Sequence, residues 1–462
     1  GPGSSPPRRH WQERAAPAAN LPAASALLGR FLAVRILHLA AGAGPMYCGA
    51  CARDMVMARG LLRRGHDVEI VPLYTPLRTD GEAPTPPAPV FLGGVNAWLQ
   101  QHSSFFRRLP PWADRFLDNP GLLRLVSRFA VSTKPADLGP MTVSVLAGEE
   151  GQQRKELERL LDYLRTQPPP DLISLTNSLL SGLAPRLKRE FGVPLVCGLQ
   201  GEEAFVASLP PAYAGRAQAL MRQNAATVDC FLAPSEAYAA QMAEYLAIPH
   251  ARVVVARPAV EHEQYRRRTP LPRDPFTIGY LSVITPRKGL DLLVDAWIAL
   301  VREHGHKVRL RVAGRTLDRR YLGQVQRTIR RAGLGDQCEF LGELELTDKI
   351  CFLHECSVFC VPSRFAESRG MVVLEAIAAG APVLAPEHGV FPEMFALLGG
   401  GTLFRPNDSG TLGEALRGVF HDPEAAAAQA ERLRAALVRH YDPTVAAEGL
   451  ERLFRGLLAP AP

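Results

Sequence analysis

The strongest constraint on the fold is a repeated alternation of short apolar runs with helical stretches. The apolar runs occupy residues 35–39, 68–71, 172–175, 193–196, 230–233, 276–281, 308–312, 339–341, 358–361, 382–384 and 402–404. Turn-forming residues follow each run, and then comes a helical pattern such as residues 53–64, which ends before a C-capping Gly65. This alternation predicts parallel strands with helices on both faces of the sheet.

The alternation stops once and then starts again, which predicts two consecutive α/β domains with doubly wound parallel sheets. We expect an N-terminal domain at 34–260 and a C-terminal domain at 276–442. Residues 261–275 are charged and Pro-rich, as is typical of a linker. The length of 462 residues fits two domains of about 200 residues each. Such domains bind ligands at the carboxyl ends of their strands, in the crevice between the sheets.

The composition is that of a globular protein and excludes a wholly disordered or collagen-like chain, with 47% hydrophobic and 21% charged residues. Lys and Arg exceed Asp and Glu by 53 to 46, a mild excess that suits an anionic ligand or an acidic membrane surface. We expect no nucleic-acid partner. The longest apolar candidate, residues 21–41, is interrupted by Arg30 and Arg35, so no membrane-spanning segment is predicted.

The eight cysteines are too few and too scattered for a disulfide framework in a chain of this size. Several lie within apolar runs and are predicted to be small buried side chains. A reducing compartment follows, and we expect a cytoplasmic protein. Residues 1–33 are predicted to be a tag scar (Gly1 to Ser4) followed by a flexible extension rich in Pro, Ala and Arg.

Residues 105–128 differ from the rest of the N-terminal domain because aromatic and aliphatic residues alternate with five arginines. They belong to a predicted helical insertion at about 97–130. A basic amphipathic stretch can lie on an anionic membrane surface, which would place the protein at the inner face of the membrane. The alternative is a helical pair that covers the crevice or packs on the N-terminal domain.

Cys48 and Cys51 form a Cys-x-x-Cys motif that follows the first strand and opens a helix. A thiol redox protein uses this placement to lower a thiol pKa, and half of a zinc site would have the same spacing. No second pair with matching spacing is present in the sequence, so we predict no metal site. The alternative is a glycine-rich turn whose Gly49 brings the backbone close to a bound substrate.

The window at 361–380 is the richest in chemistry. Glu367 lies in a loop after a strand, and Glu375 lies eight residues later inside the following helix. The backbone N–H groups of Ser368, Arg369 and Gly370 are predicted to lie at the helix N-terminus, where an anion such as a diphosphate is favoured. The sequence therefore predicts a loop and helix start that bind an anionic ligand beside two carboxylates.

This pattern of two glutamates around a helix start resembles a motif of the retaining glycosyltransferases of the GT-B fold, in particular family 4. The segment at 279–291 is similar to the family's loop whose lysine, here Lys288, contacts the donor diphosphate. The segment at 340–344 resembles the part whose backbone meets the nucleobase, and 381–385 matches the strand after the catalytic helix. The resemblance extends from about residue 34 to the C-terminus. It implies two Rossmann-like domains facing across a cleft, with the helix at 443–462 crossing back to the first.

The resemblance implies a hexosyltransferase that moves a sugar from a UDP- or GDP-sugar to an unidentified acceptor, with retention and without a metal. It also implies front-face displacement, in which the leaving phosphate helps to accept the acceptor's proton. Glu367 would contact the donor sugar, Glu375 the ribose hydroxyls, and the backbone at Glu343 and Leu344 the base. The diphosphate would be bound by Lys288, Arg287, Ser368, Arg369, Gly370 and Met371. Asn96, Trp98 and Asn177 are the acceptor-side candidates in the N-terminal domain, and the alternative for Asn96 and Trp98 is that they only begin the inserted segment.

Three positions depart from the family pattern. Val283 stands where an arginine precedes the lysine by five residues, so Arg369 or Arg287 would have to compensate. Gln200 stands where a histidine is usual; an amide can hydrogen-bond a reacting group but cannot titrate, and we assign Gln200 to the catalytic site. Arg369 itself replaces a common apolar residue. These departures indicate an unusual substrate or a divergent subgroup, and the alternative is a GT-B scaffold protein that has lost transfer activity.

Overall fold

The computed structural model describes residues 33–42, 49–75, 89–91, 135–267 and 269–459, without the side chains of 49–52, 135–137 and 306. Asn96, Trp98, Cys48 and the insertion that contains residues 105–128 lie outside the described residues, as does the side chain of Cys51. The membrane-contact, acceptor and thiol hypotheses at these positions therefore stay predictions.

The first sheet of the described chain has six parallel strands in the order β2-β1-β3-β4-β5-β6. The strands are β1 (Arg35–Ala40), β2 (Asp67–Pro72), β3 (Leu172–Leu175), β4 (Leu195–Gly198), β5 (Cys230–Ala233) and β6 (Val253–Val255). Alternate residues of β1 face opposite helical layers: Leu37 and Leu39 lie in one apolar cluster, whereas Ile36 and Ala40 lie in another. Burial on both faces explains why these strands are almost continuously apolar.

The second sheet also has six parallel strands among the described residues, in the order β12-β11-β10-β7-β8-β9. Its strands are β7 (Phe276–Leu281), β8 (Val308–Ala313), β9 (Cys338–Gly342), β10 (Val358–Cys360), β11 (Val383–Pro386) and β12 (Thr402–Phe404). The chain winds outward in one direction from β7 and in the other from β10. The carboxyl ends of these two neighbours therefore form the topological switch point, where ligands of such sheets bind. The predicted α/β class with two doubly wound parallel sheets is confirmed.

Helices cover both faces of each sheet. In the described chain they are α1 (Gly49–Arg63), α2 (Pro135–Leu146), α3 (Arg154–Thr166), α4 (Ala184–Phe191), α5 (Glu202–Ala207), α6 (Pro211–Ala225), α7 (Glu236–Leu246), α8 (Leu290–His304), α9 (Arg319–Arg331), α10 (Leu346–His354), α11 (Met371–Ala378), α12 (Phe391–Leu398), α13 (Ser409–His421), α14 (Pro423–Tyr441) and α15 (Pro443–Leu458). None of them combines the length and the apolar character that crossing a bilayer would require.

The last helix, α15, packs against α1 and the first sheet. Leu450 and Phe454 share an apolar cluster with Ile36 and Val68 of the first two strands. Arg64, just after α1, donates to Glu448 and Glu451 of α15 at 3.0 and 2.5 Å. The C-terminal end of the described chain is therefore fastened to the N-terminal sheet by both apolar and charged contacts.

The segment between the two sheets is attached to the helices of the second. A short 3₁₀-helix, His262–Tyr265, buries Tyr265, whose backbone oxygen lies 2.8 Å from Nε2 of His354 in α10. Arg267 donates to the carbonyl oxygens of Ala379 and Leu353 at 3.2 and 2.9 Å. These contacts fix the start of the connecting segment close to α10 and α11.

Candidate functional site

The loops after β7 and β10 meet at the switch point of the second sheet and bring Lys288 and Glu367 together. Lys288 ends a 3₁₀-helix, Pro286–Lys288, and its Nζ donates to Oε1 of Glu367 at 2.5 Å. The buried Ser363 donates its hydroxyl to the same oxygen at 2.8 Å. Both charged side chains remain partly exposed, at 18% and 16%. A cation and a carboxylate thus lie side by side at the carboxyl ends of β7 and β10.

Arg364 connects the loop after β10 to the loop after β7 and to α8. Its backbone N–H donates to the carbonyl oxygen of Arg287 at 2.8 Å. Its guanidinium donates to both carboxylate oxygens of Asp291, in the first turn of α8, at 2.6 and 2.7 Å. Although burial raises the pKa of Asp291, hydrogen bonds from Arg364 and Tyr321 outweigh it and lower the pKa below its ordinary value. Asp291 therefore stays ionised and keeps the bidentate contact.

Phe365 provides an aromatic surface that both Arg287 and Lys288 contact. The guanidinium carbon of Arg287 and Nζ of Lys288 each lie 4.6 Å from the centroid of its ring. Cations at this distance over a ring face are attracted by its quadrupole. Arg287 is exposed, so the ring orients a guanidinium that is still open to an anionic ligand.

Gly289 lets Lys288 reach its position, because its φ of +67° suits glycine and a Cβ there would lie 1.9 Å from the carbonyl oxygen of Pro362. We expect Gly289→Ala to lower the free energy of unfolding by about 3 kcal/mol, from left-handed strain and a clash with backbone. The melting temperature would then fall by about 6–12 °C.

Gly333→Ala is the matched control for Gly289→Ala. Gly333 has a φ of +73°, but a Cβ added there would have nothing within 4 Å, so this variant adds strain without a clash. It should cost only about 1 kcal/mol in thermal unfolding. Equal destabilisation in the two variants would contradict the close approach of the loops after β7 and β10.

Glu375 lies on the buried side of α11 and is 5% exposed. Its Oε1 accepts hydrogen bonds from Nζ of Lys349 at 2.9 Å and from the hydroxyl of Tyr265 at 3.2 Å. The helix starts at Met371 after Gly370, whose positive φ of +63° turns the chain into the helix. The first N–H groups of a helix have no carbonyl partner one turn earlier, so an anion is favoured there.

Arg369 reaches across the cleft to the first domain. One of its guanidinium nitrogens donates to Oε1 of Gln200 at 2.7 Å. The amide nitrogen of Gln200 donates to the carbonyl oxygen and the hydroxyl of Thr176, at 2.5 and 3.1 Å. Two of the predicted site residues, located in different domains, are thus in direct contact, and the orientation of the Gln200 amide is set from both sides.

A buried polar network lies below Gln200 in the first sheet. The Thr176 hydroxyl donates to Asp54 at 2.5 Å, and Arg53 donates to the same carboxylate at 2.7 Å. Nε2 of His38 lies 3.2 Å from Asp54. Burial raises the pKa of Asp54, but Arg53, His38 and Thr176 together hold it well below its ordinary value. A charged network therefore supports the residues that face the cleft.

Glu393, on α12 of the second domain, caps a helix of the first. Its two carboxylate oxygens accept the backbone N–H groups of Glu236 and Ala237, each at 3.1 Å. These residues open α7, whose N-terminal dipole favours a negative charge. Arg257 lies 3.5 Å from the same carboxylate. The cleft is therefore bridged at a second point besides Arg369.

The other predicted site residues lie around this centre. Glu343 is exposed and Leu344 partly buried, just after β9, and Gly49 is the first residue of α1. The side chain of Asn177 accepts the N–H of Leu179 and caps a 3₁₀-helix, Ser178–Leu183. Among the described residues no group of three or more His, Cys, Asp or Glu side chains could hold a metal ion. The assigned roles of these residues stay predictions.

Several residues of the site were not singled out from the sequence. They are Ser363, Arg364, Phe365, Asp291, Tyr265 and Lys349. One signal for Lys349 is readable: it lies three and four residues before Phe352 and Leu353, on the apolar face of α10. A lysine at such a position needs a buried partner, but the sequence does not identify Glu375 as that partner.

Comparison with known proteins finds two matching family models and several relatives. The family model described as glycosyl transferases group 1 matches residues 261–436, and the glycosyl transferase 4-like domain matches residues 49–259. A phosphatidyl-myo-inositol mannosyltransferase of Mycobacterium leprae is 31% identical over 37% of this chain and 43% of its own length. A glycogen synthase of Mycobacterium tuberculosis is 25% identical over 63% of this chain and 71% of its own.

A solved structure with a similar fold is that of Anabaena Alr3699/HepE in complex with UDP. It has a TM-score of 0.62 and 17% identity, covering 91% of this chain and all of that one (100%). At this identity the likeness concerns the fold alone. The two family models together span nearly the whole of residues 49–436, across both sheets. The chain therefore belongs to the group 1 glycosyltransferases and has their GT-B fold.

Proposed function

We propose that the protein is a retaining glycosyltransferase that uses a UDP- or GDP-sugar as donor. The observation that carries the proposal is the contact of Lys288 with Glu367 beside the N-terminus of α11, at the switch point of the second sheet. The UDP held by Anabaena Alr3699/HepE supports a nucleotide donor. The N-terminal domain, at about 34–260, would bind the acceptor, and the domain at 276–442 would bind the donor.

The donor diphosphate requires positive charge where the leaving group develops. Lys288 supplies a point charge, and the N–H groups at the start of α11 supply fixed dipoles. Arg287 lies over Phe365 but is exposed. It is placed to supply a second cation, in place of the arginine that the family pattern has at the position of Val283. In this proposal the chain's own residues neutralise the diphosphate, and no metal is required.

Glu367 would contact the donor sugar, next to the bond that breaks. The bond from the anomeric carbon to the diphosphate opens while the acceptor oxygen approaches from the same face, so the configuration is retained. The acceptor's proton passes to the leaving phosphate oxygen, and the nucleoside diphosphate leaves carrying it. Gln200 cannot take that proton, so we assign it hydrogen bonding that orients the reacting groups.

A panel of UDP-, GDP- and ADP-sugars tests the proposal, with and without EDTA. We expect one nucleotide class to raise the melting temperature and to be slowly hydrolysed, with nucleoside diphosphate release measured directly and unaffected by EDTA. The corresponding free sugars are the control and should do neither. Binding of no sugar nucleotide would refute the proposal, and activity only without EDTA would refute its metal-independent part.

A second candidate is a sugar-nucleotide-binding protein without transfer activity. Val283 favours it, because the family resemblance leads us to expect a phosphate-binding arginine at this position, which is here an exposed valine (39%). The same panel separates the two functions, since this candidate binds a nucleotide sugar but releases no product. Contact of residues 105–128 with the inner face of an anionic membrane is a further proposal that either function allows.

A further inference from the structure

The ion pair between Lys349 and Glu375 is the most deeply buried charge pair beside the candidate donor site. The side chains are 6% and 7% exposed, and Nζ lies 2.9 Å from Oε1. The Tyr265 hydroxyl donates to the same oxygen, and Nζ lies 5.6 Å from the centroid of the Tyr265 ring. Three elements thus converge on one carboxylate: α10, α11 and the segment between the domains.

Burying the charge of a lysine at this position costs free energy of folding, so we expect the charge to have a role. Its neighbours one turn on, Phe352 and Leu353, are almost fully buried, so an apolar side chain would suit the face that Lys349 occupies. Removing two charges from water is expensive, and a buried pair is often replaced by apolar residues without loss of stability. Stability alone therefore does not explain the pair. It fixes the orientation of the Glu375 carboxylate within an apolar helix.

This orientation bears on nucleotide recognition, given the proposed function, on which the inference rests. The family resemblance assigns Glu375 to the hydroxyls of the donor ribose and the segment at Glu343 and Leu344 to the base. The helix that carries Lys349 begins at Leu346, two residues after Leu344. Lys349 therefore links the segment that would meet the base to the carboxylate that would meet the ribose.

We propose that Lys349 is a positioning residue for ribose recognition. By holding the Glu375 carboxylate in one orientation, it sets how strongly the site prefers ribonucleotides to 2′-deoxyribonucleotides. Tyr265 assists through its hydrogen bond to the same oxygen. Neither residue needs to touch the nucleotide for this effect.

The experiment compares the dissociation constants of UDP and 2′-deoxy-UDP by calorimetry, or of GDP and 2′-deoxy-GDP if the donor panel selects guanine. A hydrogen bond to a charged group predicts that the wild-type protein prefers the ribonucleotide about tenfold or more. In Lys349→Met the preference should fall to about twofold. Lys349→Arg, which keeps the charge, should retain most of it. In Lys288→Met both nucleotides should weaken alike, leaving the ratio unchanged.

The outcomes distinguish failure of this inference from failure of the proposed function. If wild-type protein binds neither nucleotide, the proposed function fails, and the inference fails with it. If it binds both equally, or if Lys349→Met keeps the wild-type ratio, only the inference fails. Should Lys349→Met not fold, Tyr265→Phe decides: it removes one donor to the same oxygen and should lower the preference about threefold. An unchanged ratio there overturns the inference.

Discussion

Replacement of Glu367 by glutamine is expected to abolish most turnover while tightening nucleotide binding. The Glu367 carboxylate accepts a hydrogen bond from Lys288 at 2.5 Å, so a diphosphate must compete with it for that cation. Glutamine removes the competing charge, and affinity for UDP or GDP should rise about threefold to tenfold. Turnover should fall about 10²- to 10³-fold, because the carboxylate proposed to contact the reacting sugar is lost.

The two opposite effects are measured separately, by calorimetry with the nucleoside diphosphate and by its rate of release from the sugar nucleotide. Glu414→Gln, an exposed glutamate on α13, is the matched control and should change neither quantity. If Glu367→Gln weakens binding and turnover in parallel, Glu367 mainly holds the loop after β10 in place. Its role would then be structural, through Ser363 and Lys288.

Lys288→Met is expected to weaken binding of the nucleoside diphosphate about 10- to 100-fold. The variant keeps most of the side-chain length but removes the point charge that we propose to face the leaving group. It also leaves Glu367 without its cation, so an anionic ligand meets net repulsion. The dependence of affinity on salt should become weaker, because one cationic contact is gone.

The free nucleoside provides the internal control for Lys288→Met. Uridine or guanosine lacks the diphosphate, and its affinity should stay within about twofold of the wild-type value. Arg287→Met should have a smaller effect on the diphosphate, since Arg287 is exposed and its charge is well solvated. An equal loss for nucleoside and diphosphate would indicate that Lys288 supports the local fold, not the diphosphate.

The fold could be predicted because its determinants are local and periodic. Buried parallel strands are continuous apolar runs, and β3, β5, β7 and β12 begin and end at the predicted residues. The other predicted strands differ by one or two residues at one or both ends, where helix and strand boundaries are least determined. β6 was missed: it has three residues, of which only Val253 is buried, so little apolar pattern marks it.

The site could be predicted only in part, because its contacts join distant residues. Glu367 and Lys288 were both singled out, but their direct contact spans 79 positions and depends on how the loops after β7 and β10 meet. Glu375 was expected to face a ribose, and its buried partners lie on other elements. Motif spacing identifies chemical groups along one loop, whereas partners across elements follow from packing.

The contact of Arg369 with Gln200 has a consequence for how the sequence can vary. At these two positions the chain departs from the residues that the family resemblance leads us to expect, an apolar residue and a histidine. In this protein the two unusual side chains satisfy each other at 2.7 Å, although 169 positions separate them. A change at either position would remove this hydrogen bond across the cleft. Substitutions at positions 200 and 369 should therefore be correlated among related sequences.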